Sequence, residues 1–214
     1  MRTLHAPLFT FMLCTLLAGC KKDDPTPPPS GGPDDPPVPT PFEMDINGPI
    51  GMQMTIGDST VLYVSGGVYA HAYAVHHVSG GRDYSAGLVG GTNDDMLAGI
   101  RLGTIAVAEG EPVWANDFEA FLAPGARVIM NSNMAVPWAS IMHRDLEGTE
   151  WSTQCGIGAQ PSASFEILEM QPQEDEKGDF VRIKATFNCT LYNCSTGEAA
   201  TVTNGGLVLL LGNF

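Results

Sequence analysis

The segment from Val181 to Tyr192 alternates strictly between apolar and polar residues. Every second residue from Val181 to Leu191 is apolar, and the residues between them, from Arg182 to Tyr192, are polar or charged with Tyr at the end. A period of two with one apolar face predicts a half-buried β-strand. Because such a strand has one face to bury, it needs a second layer of structure against it.

Turn residues follow this strand. Residues 193–197 read Asn-Cys-Ser-Thr-Gly, and Glu198–Thr203 then returns with β-branched residues, so we predict a β-hairpin over residues 180–204. We expect a second turn at Asn204-Gly205-Gly206, followed by a last, fully apolar strand over Leu207–Leu211.

The rest of the domain repeats this pattern of short apolar segments separated by glycine-rich turns. One short helix is expected between Glu111 and Phe121, with Pro112 near its start. These elements predict an all-β fold: an antiparallel β-sandwich of the immunoglobulin-like or jelly-roll-like kind, or alternatively a closed lipocalin-like barrel. The other predicted strands are Phe42–Ile46, Met52–Ile56, Thr60–Val64, Val68–Val78, Tyr84–Val89, Ile100–Ala108, Arg127–Met130 and Ser164–Met170.

The N-terminus is typical of an exported chain. Ala6–Ala18 is almost wholly apolar but is too short to span a bilayer as a helix, which indicates a signal peptide over residues 1–19. The next residues, Leu17-Ala18-Gly19-Cys20, resemble the lipobox of bacterial lipoproteins. That resemblance implies cleavage before Cys20 and attachment of acyl chains such as palmitate, giving a stable membrane anchor.

A tether is predicted between this cysteine and the domain. Lys21, Lys22, Asp23 and Asp24 resemble the short signal that sends Bacteroidota lipoproteins to the outer face of the outer membrane. Nine of the 17 residues from Pro25 to Pro41 are proline, which excludes helices and strand ladders. We therefore expect a lipidated, proline-rich tether over residues 20–41, on the order of 60 Å long, and a single β domain over residues 42–214.

The charge of the chain limits its partners. The formal net charge is −14 and becomes −15 once residues 1–19, with Arg2 as their one charged side chain apart from histidine, are removed. This field repels polyanions, so we expect no nucleic-acid partner. The expected partners are the membrane, through the lipid anchor, and a glycan or a protein.

A further sequence pattern lies at the two ends of the domain: Ile46-Asn47-Gly48 near its start, and Phe187, Thr190-Leu191-Tyr192 and Thr201–Gly205 in its last predicted strands. In these residues the domain resembles a group of small, uncharacterised Bacteroidota lipoproteins with an all-β domain. The group carries an I-N-G sequence near the start of the domain and a G-x-F-x-x-T-L-Y … T-x-T-N-G-x-F pattern in its last strands. Ala185 stands where the glycine before the phenylalanine is common in the group, which leaves the strand prediction unchanged. The resemblance implies a fold and a lipid tether but no activity.

A row of tyrosine and histidine residues is the strongest sequence indication of a binding surface. Tyr69, His71 and Tyr73 fall on one face of a predicted strand, and alanines occupy the other. We expect the alanine face to pack on a neighbouring layer, and the aromatic face to be exposed or to line a groove where a ligand such as a sugar ring stacks. His71 and His77 lie about 20 Å apart along an extended strand, so they do not share a metal, and we expect no metal site.

Three cysteines remain in the domain, which allows one internal disulfide and leaves one thiol. Cys189 and Cys194 pair only if the chain bends near Asn193, and Cys189 lies on the apolar face of its strand. We favour a bond between Cys155 and Cys194.

The remaining sites are few. Asp58-Ser59-Thr60 resembles the Bacteroidota O-glycosylation pattern, with Ser59 as acceptor. The chain has no P-loop, H-E-x-x-H or G-x-S-x-G sequence, so we expect no cofactor and assign no catalytic residue. The sequence favours a non-enzymatic binding or envelope accessory protein over a surface glycan hydrolase or other secreted-face enzyme. A structural subunit of an outer-membrane complex is a third alternative.

Overall fold

The alternating segment forms part of the longest strand of the structure. The computed structural model describes residues 44–90, 95–108, 110–129, 138–156, 160, 162–175 and 178–214, and the residues from Met44 onwards belong to one compact unit, Thr40–Phe214. Within these ranges no helix is both long and apolar enough to cross a membrane. In chain order the elements are β1 (Gly51–Ile56), β2 (Ser59–Val64), β3 (Tyr69–Val78), β4 (Gly81–Gly90), β5 (Asp95–Ala106), α1 (Ala115–Leu122), β6 (Gly125–Ile129), β7 (Trp138–Arg144), β8 (Glu150–Ser152), β9 (Ser164–Asp175), β10 (Gly178–Asn193) and β11 (Ala199–Asn213).

All eleven strands join one sheet, so the predicted all-β class is confirmed. The order is β2-β1-β11-β10-β9-β6-β7-β5-β4-β3, and β8 pairs with both β10 and β7. All pairs are antiparallel except β6 and β7, which run parallel over two residue pairs. The parallel pair departs from the antiparallel prediction, and its shortness fits the slightly weaker pairing of parallel strands.

The sheet curls so that one face surrounds a common core. The predicted apolar face of β10, from Val181 to Leu191, is buried, and it meets Leu207, Leu209 and Leu211 of β11 there. Each such large side chain contributes about 1.5–3 kcal/mol through burial. One continuous sheet around one core is nearer to the barrel alternative than to two separate sheets.

β3, one end strand of the sheet, contacts β11 through a side chain. β1 pairs with β11 as far as Val208, and beyond that point the backbone N–H of Leu210 donates to Nε2 of His71 on β3 (3.4 Å). An isolated bridge between Gly66 and Tyr69 also links the chain just after β2 to β3. The imidazole of His71 thus takes the place of a strand partner for β11.

The helix α1 lies at one end of this curled sheet. Its side chains Phe118 and Leu122 are fully buried, and the Phe118 ring lies 4.7 Å from the ring of Tyr84 on β4. The helix predicted between Glu111 and Phe121 is therefore present, although it begins three residues after Pro112, at Ala115.

The predicted turn at Asn204-Gly205-Gly206 is wrong, because β11 runs straight through it. Asn188 faces two residues of β11, which makes a β-bulge, and Asn204 there has a φ of 51° and donates its N–H to Oδ1 of Asn188 (3.0 Å). A Cβ at Gly205 would collide with the ring and carbonyl oxygen of Phe187. The glycines here permit close approach between packed groups.

The strand predicted over Phe42–Ile46 is also wrong in its described part. The carboxylate of Asp45 accepts the N–H of Asn47 (2.9 Å), and the N–H of Gly48 donates to the Asp45 carbonyl, so the chain turns here. The segment then lies against the sheet, where Arg182 donates to the carbonyl oxygen of Gly48. The tendency of Asp and Asn to form such local turns outweighs the strand pattern.

We expect acid to weaken the fold through His71. Burial lowers the pKa of this imidazole from 6.5 to about 4, and nearby Arg182 acts in the same direction. Between these values the unfolded chain binds the proton and the folded chain does not, so the free energy of unfolding falls as pH drops from about 6.5 to about 4. Chemical denaturation at several pH values in this window gives the slope of the free energy of unfolding against pH. We expect His71→Gln to make that slope shallower by up to about 1 kcal/mol per pH unit.

His77→Gln is the matched control, because His77 lies on the same strand and is exposed. It should leave the slope unchanged. The pKa values of His76 and His143 are also lowered by burial, so the slope of His71→Gln should not reach zero. Equal slopes for wild type and His71→Gln would contradict this role of His71.

Candidate functional site

The Tyr69/His71/Tyr73 face is turned towards the core, opposite to the prediction. His71 and Tyr73 pair with Leu88 and Ala86 of β4, which are fully buried. The rings of Tyr69 and Tyr73 pack against core side chains, and His71 bonds to β11. The expectation that these three residues form an open ligand-binding face therefore loses its basis.

The tyrosine and histidine side chains of β3 face inwards because the curled sheet encloses a volume that has to be filled. Tyr73 is half-buried, and its ring lies 5.4 Å from that of Phe180 on β10 and 5.6 Å from that of Phe214, so it connects β3 with β10 and with the residue that follows β11. Alanine side chains are too small to fill that space. The alanines of β3 face outwards instead, where Ala70 is exposed and Ala72 and Ala74 are half-buried.

An aromatic groove lies beside the N-terminus of α1. We call it the Trp114 groove; its volume is about 330 Å³, and its lining includes Arg82, Trp114, Asp179, Asn213 and Phe214. Trp114 is 68% exposed and Phe214 is 60% exposed. Among the described residues the other large, exposed apolar side chains, Val68, Val128, Leu146 and Leu168, line none of the four pockets found.

Buried hydrogen bonds fix the wall of the Trp114 groove. Nδ2 of Asn213 donates to the carbonyl oxygen of Val113 (2.8 Å), the residue before Trp114, and Oδ1 of Asn213 accepts from the hydroxyl of Tyr84 (3.2 Å). Both side chains are buried, so unmaking either bond would leave a polar group unsatisfied. The segment that carries Trp114 is therefore held to β4 and β11.

A second pocket lies on the other side of Arg82. It has a volume of about 540 Å³, and Arg82 lines it together with His77, Gly80 and Glu111. Nη2 of Arg82 donates to the carbonyl oxygen of Glu111 (3.0 Å), and Arg82 lines this pocket as well as the Trp114 groove. Together the pockets offer room for a ligand longer than one ring.

A polar network occupies the outer face of β3, β4 and β5. Nε2 of His76 lies 2.8 Å from Oγ of Ser85, and both side chains line a pocket of about 250 Å³. The Asp83 carboxylate, 1% exposed, accepts from Arg101 (2.7 Å) and from the hydroxyl of Thr104 (2.7 Å). The sequence analysis missed this network, because its members are single polar residues on three different strands.

This network contains a serine–histidine pair but not a catalytic triad. Burial lowers the pKa of His76, and Arg101 lowers it further, so the imidazole is neutral at pH 7 and able to act as a base. Both oxygens of Asp83, the nearest carboxylate across the strand pair, are engaged by Arg101 and Thr104. The carboxylate that should orient the histidine in a triad is therefore committed elsewhere.

The cysteines pair as the sequence favours. Cys155, in a short 3-10 helix, and Cys194, in the turn between β10 and β11, form a disulfide with an S–S distance of 2.01 Å. Cys189 is a buried free thiol, and burial raises its pKa to about 12, which makes it a poor nucleophile at neutral pH. The one group of three potential metal ligands in the described residues is Glu150, Cys155 and Cys194, and the disulfide occupies both of its sulfurs.

Of the remaining predicted sites, one lies on the surface of the domain and the others lie outside the described residues. Ser59 is exposed at the start of β2, beside the turn that joins it to β1, so its hydroxyl is accessible. Cys20 and the residues Lys21, Lys22, Asp23 and Asp24 lie outside the described residues.

Comparison with known proteins gives no relative. No protein-family model, no curated protein and no solved structure matches the chain.

We expect the Asp83 carboxylate to stabilise the fold far more than a similar exposed one. Asp83→Asn leaves the charge of Arg101 without its partner in a largely buried network and should lower the free energy of unfolding by about 3 kcal/mol. Glu169→Gln is the matched control, because Glu169 pairs with Lys184 at the same distance (2.7 Å) but is 49% exposed, and it should cost about 0–1 kcal/mol. Urea denaturation of both variants measures the difference; equal losses would argue against a structural role for the network.

Proposed function

We propose that this protein is a lipoprotein anchored at the outer-membrane surface, whose single β domain acts as a non-enzymatic binding module. The observation that carries the proposal is the short apolar run ending in Leu17-Ala18-Gly19-Cys20, followed at once by charge and by a proline-rich stretch. Acyl chains at Cys20 would hold the domain at the membrane, and the tether would keep it clear of the lipid.

The binding role is supported by the Trp114 groove. Two exposed aromatic side chains beside convergent polar groups make a typical small-ligand site.

An enzyme is the second candidate, and the Ser85–His76 hydrogen bond is the observation in its favour. Serine activation needs a neutral base within hydrogen-bond reach, which His76 provides. A glycan hydrolase has less support, because none of the four pockets lined by described residues contains two carboxylates. Labelling of Ser85 by a fluorophosphonate would favour the enzyme over the binding module.

Lipidation is tested at the cysteine. We expect mass spectrometry of the membrane-extracted protein to show cleavage before Cys20 and acyl chains on that residue. Cys20→Ala should accumulate with its leader intact, whereas Cys14→Ala, the control within the leader, should be processed normally. An unmodified Cys20 in the wild-type protein would end the proposal.

Surface export is tested separately by protease treatment of intact cells. The wild-type domain should be cleaved, and a chain with Lys22, Asp23 and Asp24 changed to alanine should be protected while it remains lipidated. Asp34→Ala with Asp35→Ala, in the same tether, should remain cleavable. Cleavage of all three chains would show that the first cluster is not the signal.

A further inference from the structure

We propose that the Trp114 groove binds a neutral oligosaccharide, with one sugar ring on the indole of Trp114 and further rings extending past Arg82. This inference names the ligand class of the binding module and rests on the proposed binding function. Three features carry it: the exposed aromatic faces, the polar groups beside them, and Arg82, which lines both the groove and the second pocket.

The aromatic surface is held in place before any ligand arrives. Phe214 packs edge-on against Tyr73, with ring centroids 5.6 Å apart, and Tyr73 is in turn in contact with Phe180. Gly212 makes this arrangement possible, since a Cβ there would lie 2.7 Å from the Phe214 ring and 2.9 Å from the Phe180 ring. The backbone that carries Trp114 is held through its neighbour Val113, whose carbonyl oxygen accepts from Asn213. An aromatic ring that is packed in advance, as that of Phe214 is, reduces the ordering cost of binding.

The chemistry around these rings suits a sugar. A pyranose presents a flat C–H face, which packs on an aromatic plane, and a rim of hydroxyls, which need both donors and acceptors. The groove supplies donors from the Arg82 guanidinium and acceptors from the Asp179 carboxylate within the same lining. A purely apolar ligand would leave these charged groups desolvated without partners.

The charge and the shape of the site indicate which class of ligand it can bind. The chain carries 24 acidic residues against 10 Lys and Arg, and each of the two pockets beside Arg82 has a carboxylate in its lining, Asp179 or Glu111. This disfavours a polyanionic ligand such as a sulfated glycan. Because Arg82 lines both pockets, of about 330 and about 540 Å³, the site fits an oligomer better than a single ring.

A glycan array probed with the full-length protein in detergent tests the proposal, and calorimetry with the best neutral oligosaccharide then gives its affinity. We expect binding to at least one neutral oligosaccharide and at least a tenfold loss of affinity in Trp114→Ala, with a smaller loss in Trp114→Phe. Leu146→Ala is the control, because Leu146 is equally apolar and fully exposed but lies outside both pockets. It should bind as wild type does.

Four outcomes would overturn the proposal: no binding on the array, binding to acidic glycans alone, equal affinity of wild type and Trp114→Ala, or capture of a peptide at this groove in place of any sugar. Because Trp114 is exposed, its replacement should leave the thermal unfolding midpoint unchanged. An unchanged midpoint shows that the loss of affinity comes from the missing contact with the sugar and not from unfolding of the domain. The anchor is judged separately by mass spectrometry of the wild-type chain, since an unmodified Cys20 together with intact sugar binding refutes only the anchor.

Discussion

The shared burial of β10 and β11 is the interaction on which the rest of the structure depends. These are the two longest strands, and they pair along almost their whole length. Their inner faces place Phe187, Leu191 and Leu209 at the centre of the core, where each is fully buried. The inward rings of β3 and the buried side chains of the helix α1 pack in the same core as the inner face of this hairpin.

Curling of the sheet around that hairpin explains where the ligand groove lies. The bulge at Asn188 and the absence of side chains at Gly205 and Gly206 let β11 bend beneath Phe187 and the N-terminal segment. The pairing of β1 with β11 stops at Val208. Beyond it, His71 of β3 bonds to Leu210, and Tyr73 of β3 packs on Phe214. The Trp114 groove forms there, between the end of β11 and the start of α1.

The Asp83 network and the Trp114 groove have different roles in the domain. The Asp83 carboxylate is nearly closed to solvent, and Arg101 and Thr104 satisfy its oxygens, which is how buried polar groups tie strands together. The Trp114 groove instead presents two aromatic side chains that are more than half exposed, Trp114 and Phe214, with Arg82 and Asp179 in the same lining. Exposed aromatic side chains are available to a ligand, and this contrast favours the groove as the binding site.

Sequence alone determined the all-β class, the apolar face of β10, the turn after Asn193 and a short helix near Pro112, because each is encoded by residues close together in the chain. It also favoured the Cys155–Cys194 pair. It missed β7, where nearly all side chains are buried and the alternation disappears, and β8, which has only three residues. Tertiary structure alone decided which face of β3 turns inwards and that Trp114, Arg82 and Phe214 meet. Those outcomes depend on which strands lie opposite one another, and no local pattern of residues carries that information.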